Sequence, residues 1–161
     1  MGKAILGIII VVLAICLLML IRGYLRNRTL KIVQQASKKI TDTALEKSLI
    51  NLKSTTFAPQ LFLDEMQSEY IADVWGRGVL AFEYSIPTKN LTTDQLPLIK
   101  EKLSEQLKLV AKQSNLEGWQ GHLAFYISDI WLFAEVLHVD IAYLANQQTL
   151  DYLHDIQQLE K

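Results

Sequence analysis

The longest hydrophobic feature of the chain is an apolar run near its N-terminus. Residues Ala4 to Ile21 read AILGIIIVVLAICLLMLI, without a charged or strongly polar side chain. At about 1.5 Å per residue, a helix of this length nearly crosses a hydrocarbon core of about 30 Å. A buried helix of a globular protein normally keeps a polar face, which this run lacks. The pattern therefore predicts a retained transmembrane helix within an N-terminal unit of residues 1–21, with Cys16 facing lipid or a packing neighbour.

Cations flank the apolar run unequally. Lys3 precedes it, whereas four membrane-proximal basic residues follow it: Arg22, Arg26, Arg28 and Lys31. The positive-inside rule then favours a single-pass protein of the cell membrane with its C-terminal domain in the cytoplasm, although the opposite orientation stays open. The same cations are expected to contact anionic lipid headgroups, which makes the bilayer the first predicted partner.

A basic amphipathic neck is predicted over residues 22–56. Its apolar residues recur at steps of three and four without Gly or Pro after Gly23, which indicates a helix. Leu45, Leu49 and Leu52 form a narrow apolar stripe that needs a packing partner. The candidates are the globular domain, a second copy of the chain or another membrane protein, so these leucines are a possible interaction stripe.

Residues 57–161 predict a small α+β domain. A helix is expected over Gln60–Trp75, and the alternation in Gly78–Ile86 predicts a strand with Leu80, Phe82, Tyr84 and Ile86 on one face. Thr92 and Gln95 have the spacing of a capping box, so a helix is expected to begin there and to run to about Ser114. Its apolar stripe is Leu96, Ile99, Leu103, Leu107 and Val110.

The segment between Gly121 and Asn146 fits two strands better than one helix. Asp129, Glu135, His138 and Asp140 share no helical face, although a helix over residues 129–145 remains the competing interpretation. Asn146 is expected to cap a final helix. The resulting β-α-β-β-α order is that of a ferredoxin-like domain without its last strand. Its open edges are free to pair with a partner, or with Tyr70–Val74 if that segment is extended.

Composition and charge narrow the function classes. The 161 residues carry a net charge of −1, which is the sum of +1 at Lys3, +6 over residues 22–53 and −8 over residues 54–161. An acidic domain gives no reason to expect nucleic acid as a partner. The single cysteine excludes a disulfide scaffold and a cysteine-based zinc site within this sequence.

Candidate chemistry is sparse. His122, Glu135, His138 and Asp140 resemble a metal-ligand set in composition, and on a strand His138 and Asp140 point to the same face. Those two residues are weak metal candidates, with a simple His–Asp pair on a solvated sheet as the alternative. No glycine-rich phosphate loop or hydrolase serine motif is present, and we assign no catalytic residue or cofactor.

The sequence thus predicts a membrane-anchored binding or scaffolding protein of bacterial type, without a catalytic site. Its partner would be a membrane protein or a second copy of itself, acting at the high local concentration that a membrane gives. Two alternatives are a metal-dependent sensor or enzyme using His138 and Asp140, and an accessory subunit of a bacterial envelope secretion or pilus assembly machine. The last of these rests on analogy of fold alone.

Overall fold

Three α-helices and one sheet of four antiparallel strands form the part of the chain that the structure, a computed structural model, describes: residues 2–53, 61–71 and 78–159. The helices and strands are α1 (Gly2–Lys53), β1 (Gln67–Tyr70), β2 (Ala81–Pro87), α2 (Leu96–Gln113), β3 (Phe125–Phe133), β4 (Val136–Tyr143) and α3 (Gln147–Leu159). The chain divides into two units, Met1–Gln35 and Ala36–Lys161. This grouping places the second half of the predicted neck in the C-terminal unit.

The N-terminal unit is helical from Gly2 and exposes apolar side chains. From Val12 to Ile21, the large apolar residues keep between 45 and 72% of their surface accessible. Arg22, Arg28 and Lys31 are exposed as well. Within the part of the chain whose side chains the structure describes, no helix has both the length and the apolar character needed to cross a membrane. The structure therefore does not support the transmembrane helix, which stays a prediction.

The sheet has the strand order β1-β2-β4-β3. Strands β3 and β4 form a hairpin whose two turn residues, Ala134 and Glu135, have φ values of 48° and 62°. Left-handed backbone at both turn positions matches the right-handed twist of the strands, and here it is reached without glycine. The two strands predicted between Gly121 and Asn146 are confirmed, and the helical alternative over residues 129–145 is wrong.

One face of the sheet carries the main hydrophobic core. The predicted alternation of β2 is confirmed, because Leu80, Phe82, Tyr84 and Ile86 are all 2% exposed or less. The buried stripe of α2, from Ile99 to Val110, packs in the same cluster. The third component is α1, whose Leu45, Leu49 and Leu52 are 0, 0 and 7% exposed. The stripe of the neck therefore belongs to the core of its own domain and offers no surface to another chain.

The opposite face is covered by α3 at one end only. Val79, Ala81, Ala142 and Leu144 form a second, smaller cluster there with residues of α3. The predicted order β-α-β-β-α is observed from β2 to α3. However, the helices lie on both faces of the sheet, whereas a ferredoxin-like domain keeps them on one. The physical reason is that α1 already occupies the place beside α2.

The predicted helix over Gln60–Trp75 is wrong where the structure describes it. Leu63–Glu65 form a single 3-10 turn, and Gln67–Tyr70 form β1, which pairs antiparallel with β2. Pairing with an otherwise open edge satisfies the backbone of this segment and overrides its helical pattern. The Tyr70 ring also packs on Phe82, with 5.4 Å between centroids. Residues 60 and 72–75 of the predicted helix lie outside the described residues.

Helix starts follow the sequence signals. Both hydrogen bonds of the capping box between Thr92 and Gln95 are present, and α2 follows directly. Asn146 caps α3, since its side-chain oxygen accepts the backbone N–H of Thr149 at 2.8 Å. These contacts satisfy amide groups that a helix cannot pair internally.

A polar network attaches α1 to the sheet. Asp42 accepts a hydrogen bond from the Tyr84 hydroxyl at 2.8 Å and forms an ion pair with Lys38 at 2.9 Å. Lys38 also donates to Ser68 of β1. Burial, followed by the nearby Asp42 carboxylate, raises the pKa of Tyr84, which therefore stays protonated and donates. The network fixes the position of α1 along the strands.

Replacing Leu49 by alanine is expected to destabilise the domain by about 2–4 kcal/mol, because it leaves a cavity in a closed core. The measurement is the free energy of unfolding of the full chain in mild detergent, followed by near-ultraviolet circular dichroism. Ile50→Ala is the matched control, since Ile50 is 52% exposed and should cost less than about 0.5 kcal/mol. Equal effects of the two changes would contradict the packing of α1 in the core.

Candidate functional site

The part of the sheet that α3 leaves uncovered is polar, and we call it the polar sheet face. Its strand positions place carboxylates, an imidazole, a hydroxyl and an indole on one side: Glu69, Glu83, Ser85, Asp129, Trp131, His138 and Asp140. Each of the four strands contributes at least one of these residues. The face is therefore assembled by the sheet and by no single segment.

Four carboxylates form one row across the strands. Glu69 pairs with Glu83, Glu83 with Asp140, and Asp140 with Asp129 in the register of the sheet. Neighbouring strands lie about 4.8 Å apart, so like charges directly opposite each other repel. No lysine or arginine occurs among the described strand residues of this face, nor in α3. The row consequently concentrates acidic groups on a face whose described strand residues include no lysine or arginine.

A bulge brings Asp129 onto this face. The pairing shifts between Ile127 and Asp129, with Ile127 opposite Ile141 and Asp129 opposite Asp140. In regular alternation Asp129 would point with Ile127 into the core. The Asp129 carboxylate accepts the backbone N–H of Ile130 at 2.7 Å, which stabilises the backbone beside the bulge.

His138 contacts three other side chains of the face. Its Nδ1 lies 2.9 Å from Glu83 Oε1 and 3.2 Å from Ser85 Oγ. The Trp131 ring stacks on the imidazole, with 4.8 Å between centroids and 5° between planes. The side chain of His138 is only 18% exposed. These contacts hold the ring flat against its neighbours, with Nδ1 directed at the Glu83 carboxylate.

Asp140 lies in the middle of the row, where its surroundings destabilise the charged form of its carboxyl group. Burial raises the pKa of its carboxyl to about 7, and the Glu83 and Asp129 carboxylates contribute to the same shift. Its Oδ1 is buried and has no hydrogen-bond partner among the described residues. Near neutral pH the group is therefore poised between its neutral and charged forms.

The structure brings together two of the residues considered as metal ligands and separates the others. His138 and Asp140 share the polar sheet face, as alternation predicts. Glu135 lies in the hairpin turn, and His122 follows the 3-10 turn Trp119–Gly121. His154 lies exposed on α3. Within the described residues, no group of three or more His, Cys, Asp or Glu side chains is arranged to hold a metal ion.

Sequence reasoning missed most of the row. Alternation already placed Glu83 and Ser85 opposite the apolar face of β2, but it gave no information about their neighbours on other strands. Glu69 falls within the predicted helix over Gln60–Trp75, and the bulge that exposes Asp129 has no sequence signature here. The register of four strands was the information that was lacking.

Comparisons with protein-family models, with curated proteins and with solved structures find no match.

The raised pKa of Asp140 predicts a pH-dependent stability. Below about pH 4 the carboxyl is protonated in both the folded and the unfolded state. Between about pH 4 and 7 only the unfolded state loses the proton, so this group lowers the free energy of unfolding as the pH rises. Asp140→Asn should therefore stabilise the protein by about 1–2 kcal/mol at pH 8, after allowance for solvent screening, and by little at pH 4.

The measurement is the difference in free energy of unfolding between variant and wild type at pH 4, 6 and 8. Asp155→Asn is the matched control, because Asp155 is exposed on α3 and its replacement should change the free energy of unfolding by less than about 0.5 kcal/mol. If the effect of Asp140→Asn on the free energy of unfolding is the same at all three pH values, the pKa of Asp140 is not raised in the folded protein.

Proposed function

We propose that the chain is a membrane-anchored binding protein, in which the N-terminal helix attaches the α+β domain to a lipid bilayer. The observation that carries this proposal is the exposure of the apolar side chains from Val12 to Ile21, at 45–72%. Exposed apolar surface of this extent is costly in water and marks a contact with lipid or with another protein. The uncharged sequence from Ala4 onward and the cations that follow it support lipid as the surroundings.

We further propose that the polar sheet face is a binding surface of the domain and that it takes a cationic segment of a partner. Four aligned carboxylates repel one another, and a bound cationic side chain would relieve that repulsion. The Trp131–His138 stack beside the row gives a flat surface of low conformational entropy, and Phe133, 71% exposed, extends it. This combination of acidic and aromatic groups supports recognition of lysine- or arginine-containing segments.

Membrane attachment predicts a clear result in fractionation. The full chain produced in bacterial cells should stay with the membranes through an alkaline carbonate wash and should float with them in a density gradient. A variant with Leu13→Arg and Leu17→Arg should leave the floating fraction, because each arginine in the middle of a span costs about 2.5–3.5 kcal/mol.

Two controls accompany this experiment. Leu13→Ile with Leu17→Ile keeps the apolar run and should float like the wild type. Gln113→Arg with Gln148→Arg adds the same charge at exposed positions of the domain and should also float. Attachment to a bilayer is disproved if carbonate releases the wild type, or if the arginine variant floats as completely as the controls.

Binding at the polar sheet face is testable with a defined probe. A fluorescent eight-residue peptide of alternating arginine and serine is titrated with the full chain in non-ionic detergent at low salt. Glu69→Gln with Asp129→Asn should weaken binding by about three- to tenfold, because two exposed charge contacts are lost. Glu101→Gln with Asp155→Asn removes the same charge elsewhere on the domain surface and should have little effect. A uniform loss in both variants would mean that the peptide senses only net charge.

A further inference from the structure

We propose that the groove between α2 and the edge strand β3 binds an extended segment of a partner protein that carries carboxylates and adds to β3 as a fifth strand. The proposal rests on the domain being a binding module, and it concerns the side of the sheet opposite the polar sheet face. It does not require the membrane anchor, so the two are tested separately.

Strand β3 lies at the edge of the sheet. In the described sheet β3 is the last strand, and its only strand neighbour is β4. Nine residues, Phe125–Phe133, thus present one side of their backbone without a partner strand. Such an edge can pair with an extended peptide through main-chain hydrogen bonds, which is a common mode of peptide recognition.

A groove with an apolar floor lies beside that edge. Two adjoining hollows of about 250 and 380 Å³ lie between α2 and the start of β3, and both are lined by Lys108, Leu123 and Phe125. Leu123 is 48% exposed, although it lies next to the buried Phe125. The groove therefore offers apolar contact for alternate side chains of an added strand, which point to one face of the sheet.

Charge decides the chemistry of the occupant. Lys100, Lys108 and Lys112 line these hollows, along one side of α2. Lys100 reaches over the edge of the sheet, with its Nζ 3.5 Å from the carbonyl oxygen of Ser128 at the bulge. The other lysines described after residue 61 are Lys89 and Lys102, and Lys102 pairs with Glu105 at 3.1 Å. Three of the five lysines that the structure describes after residue 61 thus lie along this groove, which fits a segment with carboxylates.

The same arrangement excludes a basic segment from the groove. Three ammonium groups along one helix face would repel lysine or arginine side chains, and Glu117 is the single carboxylate that lines the two described hollows. A strand places every second side chain on the same face, and the apolar floor and the lysines line the same hollows. The positions of the added strand that face the groove must therefore include both apolar and acidic residues. The groove and the polar sheet face therefore select partners of opposite charge.

The test is a peptide titration of the full chain in non-ionic detergent. The probe is a fluorescent seven-residue peptide in which valine, glutamate and glutamate occupy every second position, separated and flanked by serines. Its counterpart carries lysine in place of glutamate. We expect the glutamate peptide to bind at least about tenfold more tightly. Lys108→Glu with Lys112→Glu should weaken its binding at least about fivefold, whereas Lys89→Glu with Lys102→Glu, the same change of charge away from the groove, should not.

Backbone pairing is tested with two further peptides, methylated at the nitrogens of either the odd or the even residues. One of the two should lose binding, because methylation removes the N–H groups along one edge of the strand. The proposal is overturned if the glutamate peptide does not bind, if both methylated peptides bind as well as the parent, or if the control lysine pair is equally important.

Other occupants give different results in the same preparations. If the groove joins two copies of the chain, sedimentation equilibrium will show a dimer that Lys108→Glu with Lys112→Glu dissociates. If it binds lipid headgroups, that variant will lose affinity for vesicles rich in phosphatidylserine and keep its affinity for the peptide. Either result would overturn the proposal of an extended protein segment, while leaving the carbonate and flotation experiments to decide membrane attachment.

Discussion

The contact between the C-terminal part of α1 and the sheet determines which surfaces of the domain are available. Leu45 and Leu49 are completely buried there, and Asp42 accepts a hydrogen bond from the hydroxyl of Tyr84, in the middle of β2. With α1 and α2 side by side, one face of the sheet is closed into a core. The third helix is left with the end of the other face, so the remaining strand positions can be polar. An element that reads as a connector in the sequence is thus a structural part of the domain.

The two proposed surfaces follow from this division of the sheet. On the face away from α1, the register aligns four carboxylates, and α3 brings no cation near them. On the other side, α2 leaves a groove along the edge strand and lines it with lysines. One small domain therefore combines a charged sheet face with an unpaired edge. The two proposals together describe a domain that binds two segments of opposite charge.

The elements that could be predicted from the sequence are those whose capping residues or apolar periodicity lie within the element itself. The capping box at Thr92 and the apolar stripe of α2 identify that helix, and alternation identifies β2 and β4. β1 could not be identified, because its four residues are extended only through pairing with β2. The hairpin turn at Ala134 and Glu135 lacks the glycine that usually marks left-handed positions.

The candidate site was predictable only in part, for a related reason. Alternation places His138 and Asp140 on one face, and the structure agrees. It does not say that Glu83 lies beside them, because that depends on which strands pair and in which register. The bulge near Ser128 adds one residue to β3 and so turns Asp129 away from the core. A single inserted position thus decides whether a carboxylate is buried among apolar residues or completes the row.

The placement of the lysine groove and the carboxylate row on opposite sides of one sheet gives the domain a permanent electric dipole moment. An electric field exerts a torque on a dipole, and an anionic surface produces a field that extends over roughly one Debye length, about 8 Å at physiological salt. Within that distance, the orientation with the lysines towards the surface has the lowest energy. A domain confined close to charged lipids would then rotate less freely, and its carboxylate row would face away from the surface.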